Sequence, residues 1–364
     1  MLAGRGLGAA LVYGADRSGS AVPWLTGWPV TREAALVFTP GLPDVLYVCY
    51  DNHVPNARRL APGADVRPGG RSALRAALPL LAARSAGGGG AGGGGAGVVG
   101  PVPARWHDEL IAAAGRAEFL DQDYTQLRLV KSAAEIGWLR EGARLTDAGV
   151  SALAAGARPG MTEAALGALV ESGYVADGGQ THIRYLGVTP MDQPDLCVPA
   201  QWPSSRPLRT GDVLSCEISA SYGGYPGQLL RTFAVGVPPT PRYRDLHQVA
   251  EQAFDAMTAR LRAGATAADL IEAASLITAA GFTVYDDLVH GYGGGYLPPV
   301  LTRAALERQQ APDFRFQAGM TVVVQPNVIT TDERAGVQTG ELVLVTEDGW
   351  ESLHQFPRGF AQLG

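Results

Sequence analysis

Cysteine is scarce in this chain, with Cys49, Cys197 and Cys216 the only three among 364 residues. An odd, widely spaced set with no CxxC pair excludes a disulfide scaffold, a zinc ribbon and a dithiol redox centre, and it points to the cytoplasm. An excess of positive charge is also missing. The 29 basic residues stand against 35 acidic ones, for a formal net charge of −6. No basic run exceeds short arginine pairs, so nucleic acid is not an expected partner. Long apolar runs are absent as well: the opening MLAGRGLGAALVYG is broken by glycines, too short for a membrane span and weak as a signal peptide. No membrane partner is expected. What is abundant is small and apolar, with 46% hydrophobic residues and 48 glycines, enough material for two packed domains or one large one.

The first part of the chain alternates short apolar runs with turns: GAALVYG, EAALVF and DVLYVCYDNH have the composition and spacing of strands in an α/β domain. Residues 71–85 predict a helix. The tract from Ala86 to Gly97, AGGGGAGGGGAG, predicts a flexible loop, because glycine loses the most entropy on ordering. A returning strand and a helix follow, and the small domain is expected to span residues 1–123, leaving 124–364 for a larger one. There, Ser132 and Glu135 form a capping box at the start of a long helix, and Thr162 opens a second. GDVLSCEISASYGGYPGQLLRTFAV predicts a hairpin around Gly223 and Gly224. Two more helices and a set of strands complete an α+β pattern, with helices on one face of an antiparallel sheet.

Four segments, LRLVKSAAEI, GDVLSCEISASYGGYPGQLLRTF, HGYGGGYLPP and the pair GMTVVVQPNV with GVQTGELVLVTEDG, resemble in order and spacing the creatinase, prolidase and methionine aminopeptidase superfamily (M24). The resemblance runs from about Leu127 to the end. It implies a C-terminal pita-bread fold preceded by a smaller creatinase-type α/β N-terminal domain, and a homodimer. In metal-dependent relatives two aspartates, a histidine and two glutamates hold two divalent ions. Laid onto this chain, those positions read Glu217, Gln228, His290, Gln325 and Gly340. Neutral amides are poor replacements for carboxylates around a divalent cation, so no metal and no other cofactor is expected. Glu341, beside the lost ligand, points to the opposite face of its strand. The resemblance extends to creatinase, which hydrolyses a C–N bond without metal, but the histidine of that mechanism falls here at Ala200. The second histidine of the family's HE pair falls at Tyr296 or Leu297.

The expected site comprises Glu217 and His290 as the proton-handling pair, with Gln228, Tyr292, Tyr296, Gln325, His182 and Arg184 as substrate-binding groups. His53, in YDNHVPNAR, is a further candidate that a dimer could bring to a partner's site. No GxSxG elbow accompanies Ser219 or Ser221, and Cys216 should face away from Glu217. The leading expectation is a metal-independent creatinase-like hydrolase, or a lyase, acting on a C–N bond of a small, polar, nitrogen-containing substrate. The alternatives are a non-catalytic pseudoenzyme serving as a binding or interaction module, and an atypical Xaa-Pro metallopeptidase.

Overall fold

Apolar runs in the first third of the chain pair into one mixed sheet in the computed structural model, which describes residues 1–16, 18–86 and 94–364. The strands are β1 (Ala9–Ala15), β2 (Glu33–Phe38), β3 (Asp44–Val48), β4 (Ala64–Pro68), β5 (Ala96–Val99) and β6 (Ala117–Phe119), in the order β4-β3-β2-β1-β5-β6. Successive residues of these strands are buried on opposite faces. Val12, Leu36 and Leu46 enter one core. Leu11, Val37 and Val45 enter another, against Leu74, Ala77 and Leu81 of the helix Ala73–Ser85. A sheet covered on both sides needs such continuous apolar strands.

The glycine-rich tract differs from its expected loop at its far end. Residues 87–93 lie outside the described residues, whereas Ala96 and Gly97 are part of β5, paired in parallel with β1. A Cβ at Gly97 would stand 2.3 Å from Leu120 Cδ1, so close packing and ladder hydrogen bonds offset the entropy that glycine loses. This first unit extends to Arg128 rather than 123. Its last helix, Asp121–Leu127, is tied to its own unit by the Arg5–Asp123 ion pair at 2.9 Å. His53 also bonds within this unit, with Nδ1 2.8 Å from Thr31 Oγ1.

The second unit, Leu129–Gly364, opens with the long helix Ala133–Gly156. Its capping box is formed as read: Ser132 Oγ accepts from the Glu135 N–H, and the Glu135 carboxylate accepts from the Ser132 N–H. Thr162 caps the helix Glu163–Ser172. The strands are β7 (Gln180–Pro190), β8 (Asp212–Tyr222), β9 (Tyr225–Pro226), β10 (Leu229–Val235), β11 (Thr283–Val284), β12 (Val289–Tyr292), β13 (Tyr296–Leu301), β14 (Thr321–Val324), β15 (Val328–Ile329), β16 (Gly340–Val345), β17 (Trp350–Ser352) and β18 (Ala361–Leu363). The main path, β13-β12-β14-β16-β10-β8-β7, is antiparallel throughout. Gly223 and Gly224 turn the hairpin at φ 56° and 85°, values that suit the right-handed twist of paired strands.

Alternation then sorts the strands' chemistry. Cys216, Ile218, Leu229 and Phe233 pack against Leu145, Val150 and Leu153 of the long helix. Glu217, Ser219 and Leu230 therefore line the other face, called here the inner face. No helix among the described residues is long and apolar enough to cross a membrane.

Candidate active site

Glu217 lies directly across from Leu230 in the β8–β10 ladder, and Leu230 lies across from Gly340 in β16. Two residues before Leu230, on the same face, Gln228 reaches over Glu217. Its Nε2 donates to Glu217 Oε1 at 2.7 Å and to Gln325 Oε1 at 3.3 Å, while Gln325 Nε2 donates to the Asp287 carbonyl at 3.0 Å. Both glutamines are buried. Three residues from three separate stretches of chain thus form one hydrogen-bonded row, and Gln228 Oε1 is left without a partner.

His290 sits on β12, wholly buried, at a shift in register with β13. Its Nδ1 is 3.2 Å from the Gly291 carbonyl, which makes Nδ1 the protonated nitrogen of the neutral ring; Nε2 makes no hydrogen bond of good geometry, with the Gln325 side chain near enough to act on the ring. Tyr296 stacks on the imidazole at 3.9 Å and 14°, and Tyr292 meets it edge-on at 5.3 Å. Tyr292 in turn donates from its hydroxyl to Ser219 Oγ at 3.4 Å, and its ring lies 6.1 Å from His182. A second register shift, between Thr181 and Ile183 of β7, falls at His182.

The structure therefore gathers Glu217, Gln228 and Gln325 into one cluster and His290, Tyr292, Tyr296 and His182 into an adjoining aromatic one. Arg184 joins neither. Tyr185, not Arg184, is the β7 residue opposite Glu217. Arg184 lies on the helix face, where its guanidinium packs on Gly167 and pairs with Glu171 at 2.7 Å. Its assignment from THIRYL failed because neighbouring strand residues alternate faces. Asp286 and Asp287 went unread in the sequence, although YDDLVHG places them just before His290. Tyr296 Oη donates to Asp287 Oδ2 at 3.4 Å.

Burial sets the protonation of this cluster. Desolvation pushes the Glu217 carboxyl up to about 8, and the negative charges of Asp286 and Asp287 add to the effect. Desolvation pulls the His290 imidazole down to about 4, partly offset by the Gly291 carbonyl and the Gln325 amide. It also lowers His182 and raises Asp286 and Asp287, and it raises both tyrosine hydroxyls. At neutral pH, Glu217 is predominantly a carboxylic acid and His290 a neutral base.

A pair of divalent ions does not suit these groups. Of the five positions named from the resemblance, only Glu217 and His290 carry side chains that can ionise. The Gln228 amide already donates to its neighbours. At Gly340, φ is 154°, and a Cβ would stand 2.4 Å from the Val324 carbonyl oxygen and 2.7 Å from Gln325 Cα. A side chain there, ligand or not, requires the backbone to move. Glu341 does not compensate: it pairs with Arg231 at 2.6 Å and accepts from Ser352 Oγ at 2.7 Å. Among the described residues, no group of three or more histidine, cysteine or acidic side chains is arranged to hold a metal ion.

The sequence model of metallopeptidase family M24 matches residues 137–347, more than half the chain. The chain belongs to metallopeptidase family M24. Its fold is the pita-bread fold of that superfamily with a smaller mixed domain before it, and solved structures agree along its whole length. The X-Pro aminopeptidase of Thermotoga maritima MSB8 superposes with a TM-score of 0.79 over 100% of both chains, at 18% identity. Dipeptidase PepE of Mycobacterium ulcerans superposes with a TM-score of 0.78, covering 100% of this chain and 95% of that one, at 24% identity. In sequence, the Mycobacterium tuberculosis H37Rv protein named "Probable dipeptidase PepE" is 30% identical over 237 residues, 64% of this chain and 60% of that protein. The aligned part is thus under two thirds of that relative's length. This M24 chain has the frame of a peptidase-like hydrolase of peptide or amide bonds, with an altered donor set inside it.

Proposed function

We propose that this M24 protein hydrolyses the C–N bond of an amide without a two-metal centre, using His290 as base and Glu217 as acid. The observation that carries the reading is a neutral, buried imidazole beside a hydrogen-bonded row, Gln325–Gln228–Glu217, that ends in a carboxyl group keeping its proton to about pH 8. A water attacking the amide carbon gives its proton to His290 Nε2. As the C–N bond breaks, Glu217 delivers its proton to the departing nitrogen. Loss of the imidazolium proton and reprotonation of Glu217 restore the starting state, so the net reaction consumes one water. Between pH about 4 and about 8 both groups are in the form that the reaction requires. A base titrating near 4 is weak, so modest turnover is expected. The dipeptidase and X-Pro aminopeptidase names of the relatives support short peptides and their amides as the first substrates to test.

Turnover should persist in chelator and follow a bell with limbs near pH 4 and 8. His290→Ala should lower kcat by roughly 10²-fold or more, the usual worth of a positioned proton-transfer group. A second reading, an atypical Xaa-Pro metallopeptidase, is supported by family membership and by the relatives' names. Elemental analysis of protein purified without chelator separates the two: one or two tightly held ions, with activity lost on their removal, overturns the metal-free reading. Turnover of no peptide, peptide amide or small amide under either condition leaves the binding-module alternative.

A further inference from the structure

Asn327 and Gln338 are fully buried, and none of their four side-chain amide atoms has a hydrogen-bond partner. Neither residue is singled out by the sequence or used by the mechanism above. Their location follows from a register that is the same on either side of a tight turn, in which the Asn327 N–H donates to the Gln325 carbonyl at 2.7 Å. Val324 lies opposite Glu341, the Val337 N–H donates to the Val328 carbonyl, and Ile329 lies opposite Gly336. The same register sets Gln325 across from Gly340 and Asn327 across from Gln338. Val324, Val328 and Val337 pack into the core with Leu246 and Phe254 of the helix Pro241–Arg260. Alternation turns Asn327 and Gln338 the other way, onto the face that carries Gln325. The Gln338 backbone is held on both sides, its N–H donating to Thr232 Oγ1 at 2.7 Å and its carbonyl accepting from that hydroxyl at 2.9 Å.

Burying an amide without a partner is unfavourable, and an apolar side chain of the same shape would serve a plain core better. Two such amides, with Gln228 Oε1 and His290 Nε2 also buried and unpartnered, leave a set of neutral donors and acceptors unsatisfied. An uncharged group that both donates and accepts matches it. A carboxylate, which only accepts, does not satisfy their acceptor atoms. We propose that Asn327 and Gln338 form a subsite recognising an uncharged amide or ureido group of the ligand, so that this protein selects peptide amides or ureido compounds over free acids. The inference rests on reading the Glu217–Gln228 cluster as the ligand site.

Calorimetric titration of the full chain with alanylprolinamide and with alanylproline tests it. The amide is expected to bind at least tenfold more tightly than the free acid. Asn327→Leu with Gln338→Met should abolish that preference while Tm is unchanged or higher; Gln338→Met alone, close to isosteric, serves if the double variant does not fold. Equal binding of the two probes, tighter binding of the acid, binding of neither, or a preference that survives the substitutions overturns the proposal. Turnover measured alongside keeps the two readings apart. Amide-selective binding without hydrolysis removes the hydrolase and leaves this subsite, whereas hydrolysis without amide selectivity removes the subsite alone.

Discussion

A carboxyl group at position 217 keeps its proton because the residues around it offer no compensating cation, only the Gln228 amide and the distant negative charge of Asp286 and Asp287. Around two metal ions the same burial would favour an ionised ligand; among amides it favours the acid. The glycine at 340 belongs to the same change. Its Cβ position is taken by the backbone of Val324 and Gln325, so restoring a carboxylate cannot restore the ligand. Gly340→Glu is expected to lower stability by about 2–4 kcal/mol, from strain and displaced neighbours. Urea denaturation would measure the loss, and a manganese titration should find no new binding. Recovery of stoichiometric manganese without destabilisation would mean that β14 and β16 are looser here than their packing indicates.

Two departures from regular pairing shape the site at the level of elements: the shift at Thr181/Ile183 in β7, and the shift at His290/Gly291 in β12. The first adds one residue, His182, and so re-aims a side chain that strict alternation would place elsewhere; the second leaves Pro298 and Pro299 of β13 unpaired opposite the His290–Gly291 step. The helices are more conventional. Ser132 starts the 24-residue helix Ala133–Gly156, whose buried face carries Leu139, Leu145, Val150 and Leu153. Ser132→Ala removes an acceptor for the Glu135 N–H and should destabilise the protein by about 1 kcal/mol, read as a lower urea midpoint at constant slope. A change well under that would assign the helix start to packing rather than to its cap.

For the whole molecule, two of the perturbed groups, His290 and Glu217, give opposing contributions to stability with pH. His290 is neutral when folded down to about pH 4 but titrates near its ordinary 6.5 when unfolded, so stability falls as pH drops through that window, by on the order of 3 kcal/mol. Glu217 is protonated when folded up to about pH 8 but ionises near 4.5 when unfolded, so stability falls as pH rises through that wider window, by on the order of 5 kcal/mol. Between about 4.5 and 6.5 the slopes cancel. The expected profile is therefore a plateau across that range, a decline from about 6.5 to 8 and another toward pH 4. Glu217→Gln should remove the alkaline decline and leave the acid one. An alkaline limb unchanged in that variant would show that Glu217 ionises freely in the folded protein.

Period and punctuation in the sequence were enough for the elements: the apolar runs of β1 to β3, the box at Ser132, the cap at Thr162 and the paired glycines at 223 and 224 are local signals, each read from a few adjacent residues. Identity at spaced positions was also enough to expose the amides at 228 and 325. Local reading failed where the answer depended on which face a residue presents or on what lies across from it. Arg184 and Tyr185 are neighbours in sequence, yet only pairing with β8 decides that the tyrosine faces Glu217. Likewise, Asn327 and Gln338 look like ordinary loop polar residues until the register sets them opposite each other in the interior. Burial, which moves the protons of Glu217 and His290, is a property of packed neighbours contributed by β8, β10, β12 and β14, and it exists only once those strands, distant along the chain, have come together.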